Sequence, residues 1–397
     1  VQKLLTALCI SILVMALLPS MDIFATKQDS LHPDKHVYLI KNHDQNLKNG
    51  LGVRHNFDLG FTTFLTQYQV QNLQAQGVQV EKVPLYYLTK PPSGCEPWPE
   101  CKNGGGSGGT RFIPSDQTPW GIEKIYNNTT IASTNGGLGV DVAVLDTGVN
   151  TNHPDLKNRI TQCSDFTSEF TPKNSCNDEN GHGTHVAGTI LADGGSDGLG
   201  IYGVAPAANL LAYKVCTSSG CWTDDIAAAI DYAGSHGAEI VSMSFGGNSE
   251  SILIKNAISR NPYLLFVAAA GNDGPSDGSI DYPAANVNVI AIGAIDVNEA
   301  VASWSSRGIN DGDYVVEERE VEFGAPGVSV ESTWNDGAYK VISGTSMATP
   351  HISGLAAKLW TGNAVDTRAL LHERALLHDL YTYGDDKATG FGLPTMG

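Results

Sequence analysis

Gly344-Thr345-Ser346-Met347-Ala348-Thr349-Pro350 joins a glycine-opened turn to Ala348, Ile352, Leu355, Ala356 and Leu359, which recur at helical spacing. That pattern predicts a loop entering a buried helix. Ser346 then falls at the helix N-terminus, where backbone N–H groups lacking intrahelical partners favour negative charge. A serine so placed is a candidate nucleophile, because the oxyanion of acyl transfer would face those donors. Taken alone it reads better as a capping serine. Two other stretches overturn that reading. Val142-Ala143-Val144-Leu145-Asp146-Thr147-Gly148 is an apolar strand ending in an acid and a turn. Asn180-Gly181-His182-Gly183-Thr184-His185-Val186-Ala187-Gly188 is a glycine-flanked histidine opening an apolar helix. An Asp, a His and a Ser, each at an element end, are the parts of a nucleophilic triad: Ser attacks, His takes the proton, and Asp fixes the tautomer.

With these residues in view the sequence resembles the subtilisin-like serine peptidases (subtilases). The resemblance runs over about residues 118–391 and rests on VAVLDTGVNTNHPDL, NGHGTHVAGTI, YGVAPAANLLAYKV, VSMSFGG, VAAAGNDG and SGTSMATPHISGLAAKLW. Within the family it is most similar to the extracellular Bacillus branch that includes sphericase and cold-adapted subtilisins. Pro119-Trp120-Gly121-Ile122, Ile131-Ala132-Ser133-Thr134, Leu191-Ala192-Asp193-Gly194-Gly195 and Tyr383-Gly384-Asp385-Asp386 carry that closer likeness.

A chain of 397 residues holds one large domain and a smaller one. Its 42 Asp+Glu against 24 Lys+Arg, a formal net charge of -18, argue against a nucleic-acid partner. They fit a cation-binding protein. Residues 1–25 read as a secretory signal: Lys3 supplies the charge, 4–18 the apolar region, and Ile23-Phe24-Ala25 the cleavage site. The apolar run is shorter than the roughly 18–20 residues of a spanning helix. Thr6-Ala7-Leu8 before Cys9 is a poor lipidation context, so secretion without a membrane anchor is expected. Without Cys9, six of the seven cysteines remain, an even number in an oxidising compartment. They admit 15 pairings, of which sequence neighbours are the simplest: Cys95 with Cys101, Cys163 with Cys176, Cys216 with Cys221. The family branch also implies Cys163–Cys176, a loop worth about 3 kcal/mol on chain entropy. A metal site is the rival, but no cysteine-rich zinc spacing is present.

Residues 26–90 form a separate unit. Segments 35–40 and 60–65 alternate like strands, 67–76 reads as helix, and 78–88 ends as a strand. The pattern resembles the α+β pro-domain of subtilases, implying an intramolecular inhibitor; the bland alternative is a generic α+β domain. A Gly/Pro-rich linker follows at 91–117, with Gly104-Gly105-Gly106-Ser107-Gly108-Gly109, the kind of segment proteases cut. It lacks the Lys-Ser/Thr ending of a phosphate loop. Over 118–397, strand runs at 140–145, 209–215, 239–244, 263–270 and 287–293 alternate with helical patterns such as 224–236 and 250–260. That alternation predicts an α/β fold, a doubly wound and mostly parallel sheet with helices on both faces. Catalytic residues then collect at the carboxyl ends of the strands.

The resemblance implies Ser346 as nucleophile, His182 as general base then acid, Asp146 as orienting carboxylate and Asn272 as oxyanion donor beside the Ser346 N–H. By itself Asn272 reads as a turn residue. Substrate is expected to add as a strand between Ser244-Phe245-Gly246 and Ser219-Gly220-Cys221, with Trp222 roofing a distal apolar pocket. The primary pocket departs from the family. Where subtilisins usually carry a glycine before the Tyr-Pro pair, this chain has Asp281, with Asp273 near the rim. A carboxylate there favours Lys or Arg at the cleaved residue, unless the shortened loop turns it to water or a cation. With a basic preference, Arg111 becomes a self-processing site and Phe112 the new N-terminus.

Calcium is the expected structural ion. Asp155 matches a family ligand, Asp193 and Asp197 lie in a glycine-rich loop with the Leu199 and Ile201 carbonyls nearby, and Asp116 is an N-terminal candidate. Such a set suits a hard cation with six to eight oxygens. Asp311 and Asp313 outline a second site. The reading is a secreted, monomeric, calcium-stabilised serine endopeptidase acting on proteins and peptides. Its rivals are a narrow processing peptidase that cuts after basic residues and an inactive calcium-dependent binding protein. Casein digestion separates it from the first, and fluorophosphonate labelling from the second.

Overall fold

The computed structural model describes residues 35–88, 112–168 and 173–397. The signal, most of the linker, Cys95, Cys101 and Arg111 lie outside the described residues. In chain order the first unit comprises β1 (Lys35–Ile40), α1 (Gln45–Leu51), β2 (Asn56–Phe57), β3 (Gly60–Thr66), α2 (Gln67–Ala75) and β4 (Val80–Lys82), then β5 (Leu85–Leu88). The first four strands make a sheet of order β2-β3-β1-β4, all neighbours antiparallel. Thr66 opens α2 with a reciprocal capping box to Gln69. The sheet and α2 enclose a small core of Tyr38, Ile40, Phe61, Leu65, Val70 and Leu73.

The larger part begins with α3 (Trp120–Tyr126), β6 (Asp141–Asp146), β7 (Ile160–Asp165), α4 (His182–Leu191) and β8 (Asn209–Lys214). A disulfide-closed hairpin of β9 (Cys216–Thr217) and β10 (Gly220–Trp222) leads into α5 (Thr223–Ser235). Then come β11 (Ile240–Met243), β12 (Phe245–Gly246), α6 (Ile252–Arg260), β13 (Leu265–Ala269), β14 (Val289–Ile295) and β15 (Phe323–Pro326). The chain ends with the hairpin β16 (Val330–Thr333) and β17 (Tyr339–Ile342), α7 (Thr345–Lys358) and α8 (Ala364–Ala375). Seven strands in the order β15-β14-β13-β11-β6-β8-β7 form one sheet, parallel throughout. The doubly wound α/β class expected from the strand–helix alternation is therefore the fold observed.

The strands read as unbroken apolar runs because both faces are covered. Along β6, Val142 and Val144 join the core under α4 and α7, whereas Ala143 and Leu145 join the core under α5 and α6. Leu265 and Val267 against Phe266 and Ala268 repeat the alternation on β13. Strand order reverses at β6, whose neighbours are β8 on one side and β11 on the other. In such sheets a crevice opens at that switch point, beyond the carboxyl ends. Cys163–Cys176 and Cys216–Cys221 are both bonded. No helix among the described residues is long and apolar enough to cross a membrane.

Candidate active site

Asp146 is the last residue of β6, and its Oδ1 accepts the Thr147 N–H at 2.7 Å. His182 opens α4 directly opposite, with Nδ1 2.8 Å from Asp146 Oδ1 and 3.0 Å from Oδ2. Both side chains are buried. Two local features let the helix start this close. Gly181 sits at φ +104 with its missing Cβ space filled by Trp334, and a Cβ on Gly183 would collide with the Gly148 carbonyl. The first turn of α4 is capped from the preceding loop. Asp178 accepts from the Gly181 N–H (2.8 Å), the Thr184 N–H (3.0 Å) and the Thr147 hydroxyl (2.9 Å).

Ser346 lies in the first turn of α7, which has no side-chain cap at Gly344. Its hydroxyl donates to the Ser244 carbonyl at 2.9 Å, just beyond β11. Asn272 follows β13, and its Oδ1 accepts from both the Thr345 N–H and the Thr345 hydroxyl, each at 3.0 Å. With its oxygen engaged on Thr345, the carboxamide offers its NH2 face as donor. The Ser346 N–H belongs to the set that a helix start leaves without intrahelical acceptors. Acid, imidazole, hydroxyl and amide thus come from the ends of β6, α4, α7 and β13 to one crevice.

The strand β5 lies across this crevice. It pairs antiparallel with β12 (Phe245↔Leu88, Gly246↔Tyr87) and with β10 (Cys221↔Tyr86, Trp222↔Leu85). Gly220 belongs to β10, and a Cβ there would press on the Tyr86 carbonyl at 2.8 Å. Ser219 stands apart at the exposed tip of the hairpin, its N–H on the Thr217 hydroxyl. Tyr86 is fully buried and donates its hydroxyl to the Ser249 carbonyl at 2.7 Å. Beside Leu88 and Asn272 opens a cavity of about 960 Å³ that includes Asp273 at an exposed edge and Asp281 as a buried wall.

The acidic positions sort into those that converge and those that do not. Asp155 is fully buried and accepts from the Ile201 N–H (2.9 Å) and the Tyr339 hydroxyl (2.7 Å). Gln117 points its amide at the carbonyls of Gly198 (2.7 Å) and Gly200 (2.9 Å), and a Cβ on Gly200 would run into the Asp155 carboxylate. Carboxylate, amide and alternate carbonyls therefore surround one spot. Since amide oxygen and nitrogen are interchangeable by a flip, this donor set fits a hard cation. The expected ligand set differs in four places. Asp193 is drawn off by Arg159 (3.1 Å), and Asp116 caps the Thr118 N–H (3.0 Å). The Ile201 carbonyl turns to the Gly194 N–H, and Gly198 and Gly200 replace Leu199 and Ile201 as the carbonyls beside Gln117. Asp197 accepts the Leu199 N–H at the loop surface. Asp311 and Asp313 are exposed, each holding an N–H two residues on. Behind them lies Asp385, buried, with Oδ1 on Asn310 Nδ2 (2.7 Å) and Oδ2 without a partner among the described residues. Its carboxyl is pushed up to about 6 by burial, with Asp313 and its neighbours adding to the effect.

Sequence reasoning missed Gln117, Asp178 and Asp385. An Asp before a helix start could have flagged Asp178, and Asp385 stood inside a quoted motif. Gln117 carried no signal.

A doubly wound parallel sheet whose switch point gathers an Asp–His pair, a helix-start serine and an amide defines a serine-nucleophile hydrolase. Residues 137–392 match the subtilase family. The chain is 44% identical over 416 residues to a protein named subtilisin from Bacillus sp. (strain TA39), covering 96% of each. It is 41% identical over 247 residues to subtilisin Savinase from Lederbergia lenta, covering 61% of this chain and 84% of that one. Among solved structures, sphericase superposes with a TM-score of 0.70 at 51% identity, covering 72% of this chain and all of its own. The S41 psychrophilic protease does so at 0.70 and 48%, with the same coverage. The chain belongs to the subtilase family and is a serine endopeptidase of the subtilisin type.

Proposed function

We propose that Ser346, His182, Asp146 and Asn272 carry out peptide-bond hydrolysis through an acyl-enzyme. Ser346 Oγ attacks the scissile carbonyl carbon while its proton passes to His182 Nε2, the ring nitrogen not engaged by Asp146. The tetrahedral oxyanion is held by Asn272 Nδ2 and the Ser346 N–H. Collapse breaks the C–N bond, and the leaving amine takes the proton from His182. Water, deprotonated by the same imidazole, then hydrolyses the ester. The carrying observation is Nδ1 of His182 within 3.0 Å of both Asp146 oxygens, which fixes the tautomer required.

Substrates bind as a strand between β10 and β12, with Trp222 over a distal pocket. What supports this is β5, which occupies that place in a substrate-like register. Residues 26–90 act as the precursor's own inhibitor, removed after secretion, and 91–117 contain the processing site. Structural calcium is held by Asp155, Gln117 and the loop carbonyls, with Asp197 at the loop surface, and a second ion by Asp311 and Asp313 with Asp385. Such ions neutralise buried acidic clusters and tie loops together; they take no part in the chemistry. The test is Ser346→Ala in purified enzyme. Casein hydrolysis and fluorophosphonate labelling should both vanish, and persistence of either would overturn the assignment.

A further inference from the structure

The cavity beside Leu88 and Asn272 adjoins the described end of β5 and the proposed oxyanion donor. It is therefore the pocket for the side chain next to the scissile bond. Asp281 forms its inner wall. Its backbone N–H is fixed on the Ala270 carbonyl at 2.9 Å, and its carboxyl is wedged between two bare backbones. A Cβ on Gly271 would lie 2.6 Å from Oδ2, and one on Gly246 would lie 2.7 Å from Asp281 Cβ. The residue is 6% exposed. Among the described residues its carboxyl has no hydrogen-bond or ion-pair partner. A buried carboxylate left alone is costly, and here it lines the cavity where a substrate side chain must enter.

The charges around it share its sign. Asp273 stands nearby and Glu250 further along the wall; among the described residues the one cation on the lining, Arg319, is turned to the Gly278 carbonyl at 2.8 Å. The Ser306 hydroxyl oxygen accepts the Asp273 N–H at 3.0 Å. Among the described residues no cation pairs with Asp281.

We propose that Asp281 selects substrates with lysine or arginine at the residue whose carbonyl is attacked, the incoming cation supplying the partner the folded enzyme lacks. The inference rests on the proposed function, since it assumes the crevice binds substrate. It carries a pH signature. Burial first, and Asp273 second, push the Asp281 carboxyl up to about 7. Below that pH the group is neutral and the pocket takes uncharged side chains. Above it the carboxylate appears and cationic side chains gain. A charge-assisted hydrogen bond to the entering cation makes the selectivity change tenfold or more.

The test uses mature enzyme, wild type and Asp281→Asn, and peptides identical except for Arg, Lys or Phe at the cleaved residue. Active sites are counted by fluorophosphonate titration, so misfolded material drops out. The ratio of kcat/KM for Arg over Phe should climb at least tenfold from pH 6 to pH 8.5 in the wild type and stay flat in the asparagine variant. Asp281→Gly, the second variant, should also be flat. A wild-type ratio within twofold of the asparagine variant at pH 8.5 overturns the proposal. So does a ratio that moves with calcium instead of pH, which would put a metal ion on Asp281. Failure of the nucleophile assignment would look different: no titratable sites at all.

Discussion

Pro350 has no N–H to give the Ser346 carbonyl four residues earlier, and the helix leaves that carbonyl for another donor. Ser244 Oγ takes the role at 3.0 Å while the Ser346 hydroxyl donates back to the Ser244 carbonyl at 2.9 Å. A proline that looks like a helix fault thus ties the proposed nucleophile's peptide to the end of β11. Asn272 is held with comparable economy, both Thr345 donors fixing one oxygen so that the nitrogen is presented. Asn272→Ala removes the proposed oxyanion donor, whose bond would strengthen only as charge develops on the substrate oxygen. At about 1.5–3 kcal/mol for a hydrogen bond to a charged group, kcat should fall ten- to a hundredfold with KM nearly constant. Steady-state kinetics on one peptide ester check this; a fall confined to KM would place the amide in ground-state binding instead. Ser244→Ala tests the other pairing. It strands a buried carbonyl at about 1–3 kcal/mol, so the thermal midpoint should drop by several degrees, read by calorimetry.

At the scale of elements, what was legible in the sequence follows from burial. The strand runs 209–215 and 239–244 sit on β8 and β11 because both sheet faces are covered, leaving few polar positions to blur the signal. The edge strand β7 pairs on one side only and carries Thr161, Gln162 and Ser164; its mixed composition hid it. The strands β15 to β17, of four residues each, were too short to show a period. Asp146, His182 and Ser346 were legible because glycine punctuates each element end. The proposed cation-binding loop was legible only in outline. Its carboxylates show in sequence, but Gln117 meets Gly200 across a separation of 83 residues, and Arg159 meets Asp193 across 34. Chelation tests the loop as a unit. With EDTA, the segment joining α4 to β8 would lose the ion proposed to collect Asp155, Gln117 and two carbonyls, and thermal inactivation should accelerate by an order of magnitude or more. Gln117→Ala should mimic part of the effect in excess calcium. Unchanged inactivation rates with EDTA would remove the calcium proposal.

The two units of the chain meet at a buried cluster that no local pattern announced. Arg54, in the first unit, reaches Asp224 Oδ2 at 3.1 Å and Asp225 Oδ1 at 2.5 Å, and its guanidinium lies 4.5 Å above the Phe64 ring. His55 adds a contact to Asp225 Oδ1 at 2.7 Å, and the Thr62 hydroxyl one to Asp224 Oδ2 at 2.8 Å. Both aspartates stand in the first turn of α5, where the helix dipole favours negative charge. Burial, then Asp224, pushes the Asp225 carboxyl up to about 6, so the pair depends on its cationic partners to stay charged. Together with β5 in the crevice, the cluster fastens residues 35–88 over the site. Breaking a buried pair from one side costs about 3–5 kcal/mol because the remaining charges stay behind. In a Ser346→Ala full-length chain, Arg54→Ala should therefore loosen the first unit without touching the sheet below it. Adding a trace of active enzyme and following fragments by mass spectrometry gives the readout. Residues 35–88 should be degraded at least tenfold faster than in the parent, while the fragment from Phe112 onward survives. Adding Asp224→Asn and Asp225→Asn removes the stranded charges and should recover part of the protection. Equal lifetimes for parent and Arg54→Ala would mean that the strand in the crevice alone holds the unit, and that the cluster is a passenger.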